Sequence, residues 1–192
     1  THRNRIDGTP DLAALRGHAS AIVMPLRVDG DASSAWLRLG AMDLIAERLS
    51  SGGLAVPPSE NIVALLQAAH ASGVNGEMRA IRHVAPDALI VSGDLAQTTN
   101  AWRADLRATA ADGAILKVES VRPDALDAAR DAADRLLGRL GRTHPTAPPV
   151  ANGLQERLQR AQAAMLANDL PTARAILVGD PELARSEPQL VY

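Results

Sequence analysis

The sequence has no cysteine and very few aromatic residues. Without cysteine, disulfide bonds and thiolate metal sites are excluded. With no Phe, one Tyr and two Trp, a core must be built from Ala, Leu, Val and Ile. Apolar residues make up 46% of the 192 residues, which is enough for one full domain and a small second unit.

The chain also lacks a surplus of positive charge. The formal net charge is −2, and Lys117 is the only lysine. Proteins that neutralise a phosphate backbone need a cationic surplus, so we expect this segment to bind no nucleic acid. No stretch approaches the roughly 20 apolar residues of a membrane-spanning helix. The chain begins at Thr1 without a signal-peptide pattern, so we expect a fragment whose membrane anchor lies upstream.

The first part of the chain alternates strand and helix patterns. Residues 1–18 are polar and predict a lead-in or linker. The nearly continuous apolar run at 19–28 predicts a buried strand, and Pro25 should lie at its end because proline cannot donate to a ladder. Apolar residues at helical spacing predict a first helix over 34–50.

Turn and cap residues predict where the next elements begin. Ser33 or Ser34 should cap the first helix, and Ser59 should cap a second helix. Between the two helices, residues 54–56 predict a short strand that stops at two prolines. Residues 74–85 are ambiguous, and they are compatible with another short helix that ends before a proline.

Residues 88–120 predict a meander of three strands at the centre of an α/β domain. Three runs alternate apolar and polar residues, and Ser92-Gly93-Asp94 predicts a turn at a strand end. Asp112-Gly113 is a strong hairpin signal because glycine accepts a positive φ. The earlier alternation of strands and helices implies parallel strands with helices on both faces, and the meander adds an antiparallel strand.

The last third of the chain is predicted to be helical. Pro123 suits the first turn of a helix that ends at Gly141, and Asp131 can pair with Arg135 one turn later. The Pro-rich stretch 143–153 predicts a linker between domains. After it, the spacing predicts two more helices, over 154–167 and 171–178.

Residues 19–141 resemble the amino-terminal α/β domain of TolB and the related FlgO-like domains. Three segments carry the resemblance: AIVMPLRV, AWLRLGAMDLIAERLSSGGLAV and DALIVSGDLAQTTNAWRADLRATAADGAILKVES. Leu26 stands where that family usually has an aromatic residue. The resemblance implies an α/β domain over 19–142, with a five-stranded mixed sheet, the fourth strand antiparallel to the others, and helices on both faces.

Residues 154–192 resemble a tetratricopeptide repeat, with Asn168-Asp169-Leu170 at its turn. A lone helical hairpin cannot bury its apolar face, so it should lean on the α/β domain or on further repeats. Small residues should lie where the two helices approach each other, and larger apolar residues should pack: Ala161, Ala164 and Ala173, then Leu158, Met165, Leu170, Ile176 and Leu177.

The pairing of these two units resembles the extracytoplasmic part of CadC-like membrane-anchored bacterial regulators, and of related kinases and cyclases. It implies a non-enzymatic periplasmic sensor domain that binds a small ligand or a partner protein. The alternative is a cell-envelope assembly or scaffold module that acts through protein–protein contacts. The sequence contains no nucleophile elbow, phosphate-binding glycine loop or metal-binding pair on one helix face, so we expect no enzyme, cofactor or metal.

Few residues stand out as candidates for a binding site. Trp36 and Trp102 are the candidate partner-surface residues because Trp is enriched in interface hot spots, although Trp36 also suits a position over the edge of the core. A site is expected at the strand ends or in the cleft beside the helical tail. His70 and His83 are either candidates for pH sensing or plain surface residues. Homodimerisation is a further expectation, because signalling across a membrane commonly needs it.

Overall fold

The centre of the molecule is one mixed sheet. The computed structural model describes residues 15–71, 76–143 and 152–178. The strands are β1 (Ala21–Val23), β2 (Arg27–Asp29), β3 (Leu89–Gln97), β4 (Trp102–Thr109) and β5 (Ile115–Arg122). β1 and β2 pair in parallel with the same edge of β3, and β4 and β5 follow on its other side as antiparallel neighbours. The predicted five-stranded mixed sheet, with its fourth strand antiparallel to the others, is confirmed.

The strands at the parallel edge differ from the prediction in detail. The run predicted as one strand at 19–28 is two strands, and Pro25 lies between them rather than at an end. Proline has no N–H to donate, so the ladder is interrupted there and resumes at Arg27. The strand predicted at 54–56 is reduced to a single bridge between Ala55 and Ser20.

The turn predicted at Ser92-Gly93-Asp94 is wrong, because β3 continues without a break to Gln97. A Cβ atom at Gly93 would lie 2.6 Å from the carbonyl oxygen of Asp105 and from the side chain of Leu106. Glycine therefore serves close packing of β3 against β4 at this position. The second predicted turn is confirmed: the Ala110 N–H donates to the Ala114 carbonyl, and Gly113 has a φ of +88°.

The described residues contain six helices, and a short 3₁₀ turn (Ala32–Ser34) precedes the first of them. The helices are α1 (Leu37–Ser51), α2 (Ser59–Ala71), α3 (Glu77–Val84), α4 (Ala125–Arg139), α5 (Asn152–Leu166) and α6 (Leu170–Val178). Helix α1 connects β2 to the bridge at Ala55, which lies on the outer side of β1. Helices α2 and α3 connect that bridge back to β3, on the inner side of β1. Right-handed crossovers in opposite directions lie on opposite faces of a sheet, so helices lie on both faces, as expected.

The caps predicted for α1 and α2 are wrong. The hydroxyls of Ser33 and Ser34 donate to one carboxylate oxygen of Asp31, and α1 begins after Trp36 without a side-chain cap. The Ser59 hydroxyl is buried and caps no backbone N–H of α2; it lies beside the carboxyl of Asp43.

Helix α4 begins with a cap that the sequence analysis overlooked. The carboxylate of Asp124 accepts hydrogen bonds from the backbone N–H groups of Leu126 and Asp127, which are the donors that a helix start leaves free. The predicted ion pair between Asp131 and Arg135 is present at 2.8 Å.

One face of the meander, the covered face, forms the core together with α1 and α4. The buried residues on this face are Leu89, Val91, Leu95, Ala104, Leu106, Ala108 and Leu116. Four alanines of α4 are fully buried and let that helix approach closely: Ala128, Ala129, Ala132 and Ala133. The core therefore consists of Ala, Leu, Val and Ile, as the composition predicted, with Met24 and Met42 in addition.

Helices α5 and α6 form a hairpin, and α5 packs against α1. Ala161 and Ala173 are buried where the prediction placed close contacts. The prediction that Leu158, Met165 and Leu170 pack is wrong, since these side chains are exposed. No helix in the described ranges is both long and apolar enough to span a membrane. The lead-in at 1–14, most of the predicted linker (144–151) and the tail at 179–192 lie outside the described residues.

Candidate functional site

A concavity lies on the other side of the meander, which we call the open face. β4 alternates buried Ala104, Leu106 and Ala108 with accessible residues that point the opposite way. Helix α3 has only eight residues and borders this face rather than covering it. A groove of about 740 Å³ results, lined by Met78 of α3 and by side chains of β3, β4 and β5.

Helix α3 is fixed at one end of the open face, which explains why the groove is not filled. Ile81 is fully buried there, and so is Ile90 of β3. The guanidinium of Arg82 donates to the carbonyl oxygens of Ala88 and Thr109, at 2.6 and 2.7 Å. These contacts anchor α3 at one end of the meander and leave the rest of the open face to solvent.

Charged residues on the open face are sorted into rows that run across the strands. The register places Asp94 opposite Asp105, and Asp105 opposite Glu119, and these three carboxylates form the acidic row. One step along, Arg107 lies opposite Lys117 and forms the basic row with it. The two rows are separated by two residues along each strand, which is about 7 Å.

The rows place like charges next to each other. The Ala110–Ala114 hydrogen bond fixes the phase of the β4–β5 ladder, so Asp105–Glu119 and Arg107–Lys117 are the closely spaced, non-hydrogen-bonded pairs. Like charges at such positions destabilise a sheet. Two cations offset part of this repulsion: Arg103 forms an ion pair with Asp105 at 3.1 Å, and Arg27 of β2, which also lines the groove, lies opposite Asp94. A ligand that brings both a cation and an anion would relieve it.

The cleft expected beside the helical tail is also present. It has a volume of about 450 Å³ and is lined by the first residues of α2 and by residues of α1 and α5. Asp43, Glu47 and Glu60 give it an acidic lining, and the buried Ser59 hydroxyl borders it. Burial raises the pKa of the Asp43 carboxyl above its usual 3.8; a hydrogen bond with the Ser59 hydroxyl opposes this shift, and the charge of Glu60 adds to it.

The structure brings the two predicted partner-surface residues together. Trp36 and Trp102 line one crevice of about 140 Å³. Both indoles are partly buried against the core, and the Arg160 guanidinium lies 5.1 Å from the centre of the Trp36 ring. Trp36 therefore covers the core edge and stacks under a cation of α5. Partner binding by either Trp stays a prediction.

No described residues form a metal centre. Among residues 15–71, 76–143 and 152–178, no three His, Cys, Asp or Glu side chains are placed to hold an ion. His70 lies 3.3 Å from the carboxylate of Glu77, and His83 is exposed. Their role in pH sensing stays a prediction.

Comparisons with known proteins identify only distant structural similarity. No protein-family model matches this sequence, and no curated protein matches it. The lipoprotein GNA1162 of Neisseria meningitidis is similar over 79% of this chain and 99% of its own, with a TM-score of 0.46 and 16% identity. The PelC dodecamer of Paraburkholderia phytofirmans is similar over 67% and 90%, with a TM-score of 0.38 and 12% identity. Similarities this distant assign no activity, and the resemblance to TolB-like domains stays a prediction.

Proposed function

We infer that this chain is a non-enzymatic binding domain, and that the groove on the open face is its binding site. In this proposal the domain forms the periplasmic part of a membrane-anchored bacterial regulator and reports ligand occupancy through an upstream helix. The pairing of like charges in the acidic and basic rows carries the proposal. Such an arrangement costs folding free energy, and a bound ligand would repay that cost.

The two rows favour a dipolar ligand. A cationic group would be held by Asp94, Asp105 and Glu119, and an anionic group about 7 Å away would be held by Arg107 and Lys117. Met78, which lines the same groove and is exposed, offers apolar contact to a ligand. Free amino acids with a charged side chain and short peptides have this chemistry.

A thermal-shift screen tests the proposal. Zwitterionic amino acids, dipeptides, diamines and dicarboxylates would each be added to the chain, and we expect only compounds with both charges to raise Tm. Asp105→Asn and Arg107→Gln should each abolish the shift. Arg174→Gln, an exposed substitution on α6, is the matched control and should bind normally.

Two results would argue against this function. One is an equal response to dicarboxylates and dipolar compounds, because the acidic row would then have no role. The other is a shift that persists in both groove variants, because the ligand would then bind elsewhere.

The periplasmic location belongs to the same proposal and has its own test. A phosphatase fused after the last residue of the parent gene product is active only outside the cytoplasm. We expect an active fusion and, in the parent gene, one apolar helix upstream of Thr1 that follows a DNA-binding, kinase or cyclase domain. An inactive fusion would overturn the location without affecting the groove.

The alternative function is a cell-envelope scaffold. Exposed apolar residues on the helical hairpin favour it, because a lone hairpin cannot bury such residues by itself and a partner surface would cover them: Met165, Leu170 and Val178. Under this alternative, Leu170→Ser should weaken co-purification of an envelope protein, while Asp105→Asn should not. The reverse pattern would favour the ligand-binding function.

A further inference from the structure

Strand β5 has a free edge. Among the described residues it pairs only with β4, so its other side has no neighbouring strand. The Ala110–Ala114 bond fixes which backbone groups face β4: those of the even-numbered residues from 116 to 122. The N–H and C=O groups of Ile115, Lys117, Glu119 and Val121 therefore point outward and can pair with another strand.

The outward-pointing residues are symmetric about Val118. Lys117 and Glu119 flank it with opposite charges, and Ile115 and Val121 follow with apolar β-branched side chains. All four side chains are exposed on the open face, and Ile115 and Val121 are 40% and 47% exposed. A strand with this symmetry is complementary to an antiparallel copy of itself.

We propose that two copies of this chain pair antiparallel through β5, in the register that places Val118 opposite Val118. Lys117 then faces Glu119 of the second copy, and Ile115 faces its Val121, each twice. Each facing pair is hydrogen-bonded, because both members point their backbone groups outward. The two sheets become one continuous sheet with both grooves on the same side.

Charge selects this register over its neighbours. The hydrogen-bonding pattern also permits a shift of one residue per strand in either direction. One shift places Lys117 opposite Lys117, and the other places Glu119 opposite Glu119, so each brings like charges together. Only the register centred on Val118 pairs opposite charges at both positions.

Two side chains donate to outward carbonyl oxygens on this edge, and both contacts are compatible with pairing. The guanidinium of Arg122 donates to the carbonyl of Val121 at 3.4 Å. Arg135 of α4 donates to the outward carbonyl of Glu119 at 3.1 Å and also binds Asp131. A carbonyl oxygen has two lone pairs, so Glu119 can accept a second hydrogen bond from the other copy. Arg135 itself is half exposed and sits towards the covered face, where α4 lies.

Sedimentation velocity of the single variants and of their mixture tests the register. Lys117→Glu and Glu119→Lys each place two like-charged pairs in the interface, so each should weaken homodimerisation by roughly tenfold to a hundredfold. An equimolar mixture of the two should form a heterodimer as strong as the wild-type dimer, because both pairs are then opposite in charge. The double variant should dimerise normally for the same reason.

Controls separate pairing from folding and from the groove. Arg103→Glu makes the same charge reversal on the open face, one strand inward, and should leave dimerisation unchanged. Circular dichroism confirms that each variant is folded. A wild-type chain that stays monomeric at high micromolar concentration would overturn the proposal. A Lys117→Glu chain that associates more strongly with wild type than with the Glu119→Lys chain would overturn it as well. Dipolar ligand binding is measured separately with the Asp105 and Arg107 variants, so either proposal can fail alone.

Discussion

The two faces of the β3–β5 meander are built from the same strands and have opposite chemistry. On the covered face, Ala104, Leu106 and Ala108 are buried under α4. On the open face, Asp105 and Arg107 alternate with them and remain accessible. The side-chain period of two lets one strand serve both purposes. Stability is therefore concentrated on one side of the sheet, and the charges available for binding on the other.

The largest expected effect comes from breaking the covered face at one residue. Leu106→Ala removes a side chain that is 2% exposed, and we expect it to lower the free energy of unfolding by about 3 kcal/mol. Arg107→Ala is the matched control on the open face and should change it by less than about 0.5 kcal/mol. Urea denaturation measures both, and equal effects would contradict the difference between the faces.

The next effect concerns the helices that cover this face. Arg48 of α1 binds the carboxylate of Asp134 in α4 through two nitrogens, and only 16% of the Arg48 side chain is exposed. Asp134→Ala leaves that cation without its partner, so we expect a loss of about 2 kcal/mol. The exposed Glu156–Arg160 pair is the comparison, and Glu156→Ala should cost only about 0.4 kcal/mol. A similar cost for both would show that packing alone holds α1 to α4.

The next prediction concerns the pH dependence of stability. Ser120 is a polar residue of the covered face, and its hydroxyl donates to the carboxylate of Asp131. Burial raises the pKa of Asp131, but the Ser120 hydroxyl and the guanidinium groups of Arg135 and Arg122 lower it more, so the net shift is below the usual 3.8. The folded state thus favours the carboxylate, and its contribution is present above pH 3.8 and lost as the pH falls through the lowered pKa. Wild type should exceed Asp131→Asn in stability at pH 7, and the difference should shrink in acid.

The smallest expected effect on stability comes from Asp43, whose pKa is shifted in the opposite direction from that of Asp131. Burial raises the pKa of Asp43 most, a hydrogen bond with the Ser59 hydroxyl lowers it, and the charge of Glu60 raises it. The net pKa is raised, so the folded state disfavours the charged carboxylate. Stability from this group is present below pH 3.8 and lost as the pH rises through the raised pKa. Asp43→Asn should therefore raise Tm slightly at pH 7 and have no effect in strong acid. A lower Tm at pH 7 would mean that the charge is held by a favourable contact.

Local pattern was a good guide to the elements and a poor guide to their ends. The Asp112-Gly113 hairpin and the Asp131–Arg135 pair were predictable, because each depends on residues close in sequence. The sequence analysis placed Pro25 at the end of one strand, but it lies between two separate strands, β1 and β2. The signal for the overlooked cap at Asp124 was present, since Asp precedes an apolar helical stripe there.

The sequence by itself determined the composition of the core, the order of strands and helices, and the alternation that divides the meander into two faces. These follow from propensity, spacing and turn chemistry, which act over a few residues. Only the tertiary structure decided which face α4 would cover, and therefore that Asp94, Asp105 and Glu119 would align across three strands. It also brought Trp36 and Trp102 to one crevice. Register and packing join residues far apart in the chain, and no local pattern specifies those partners.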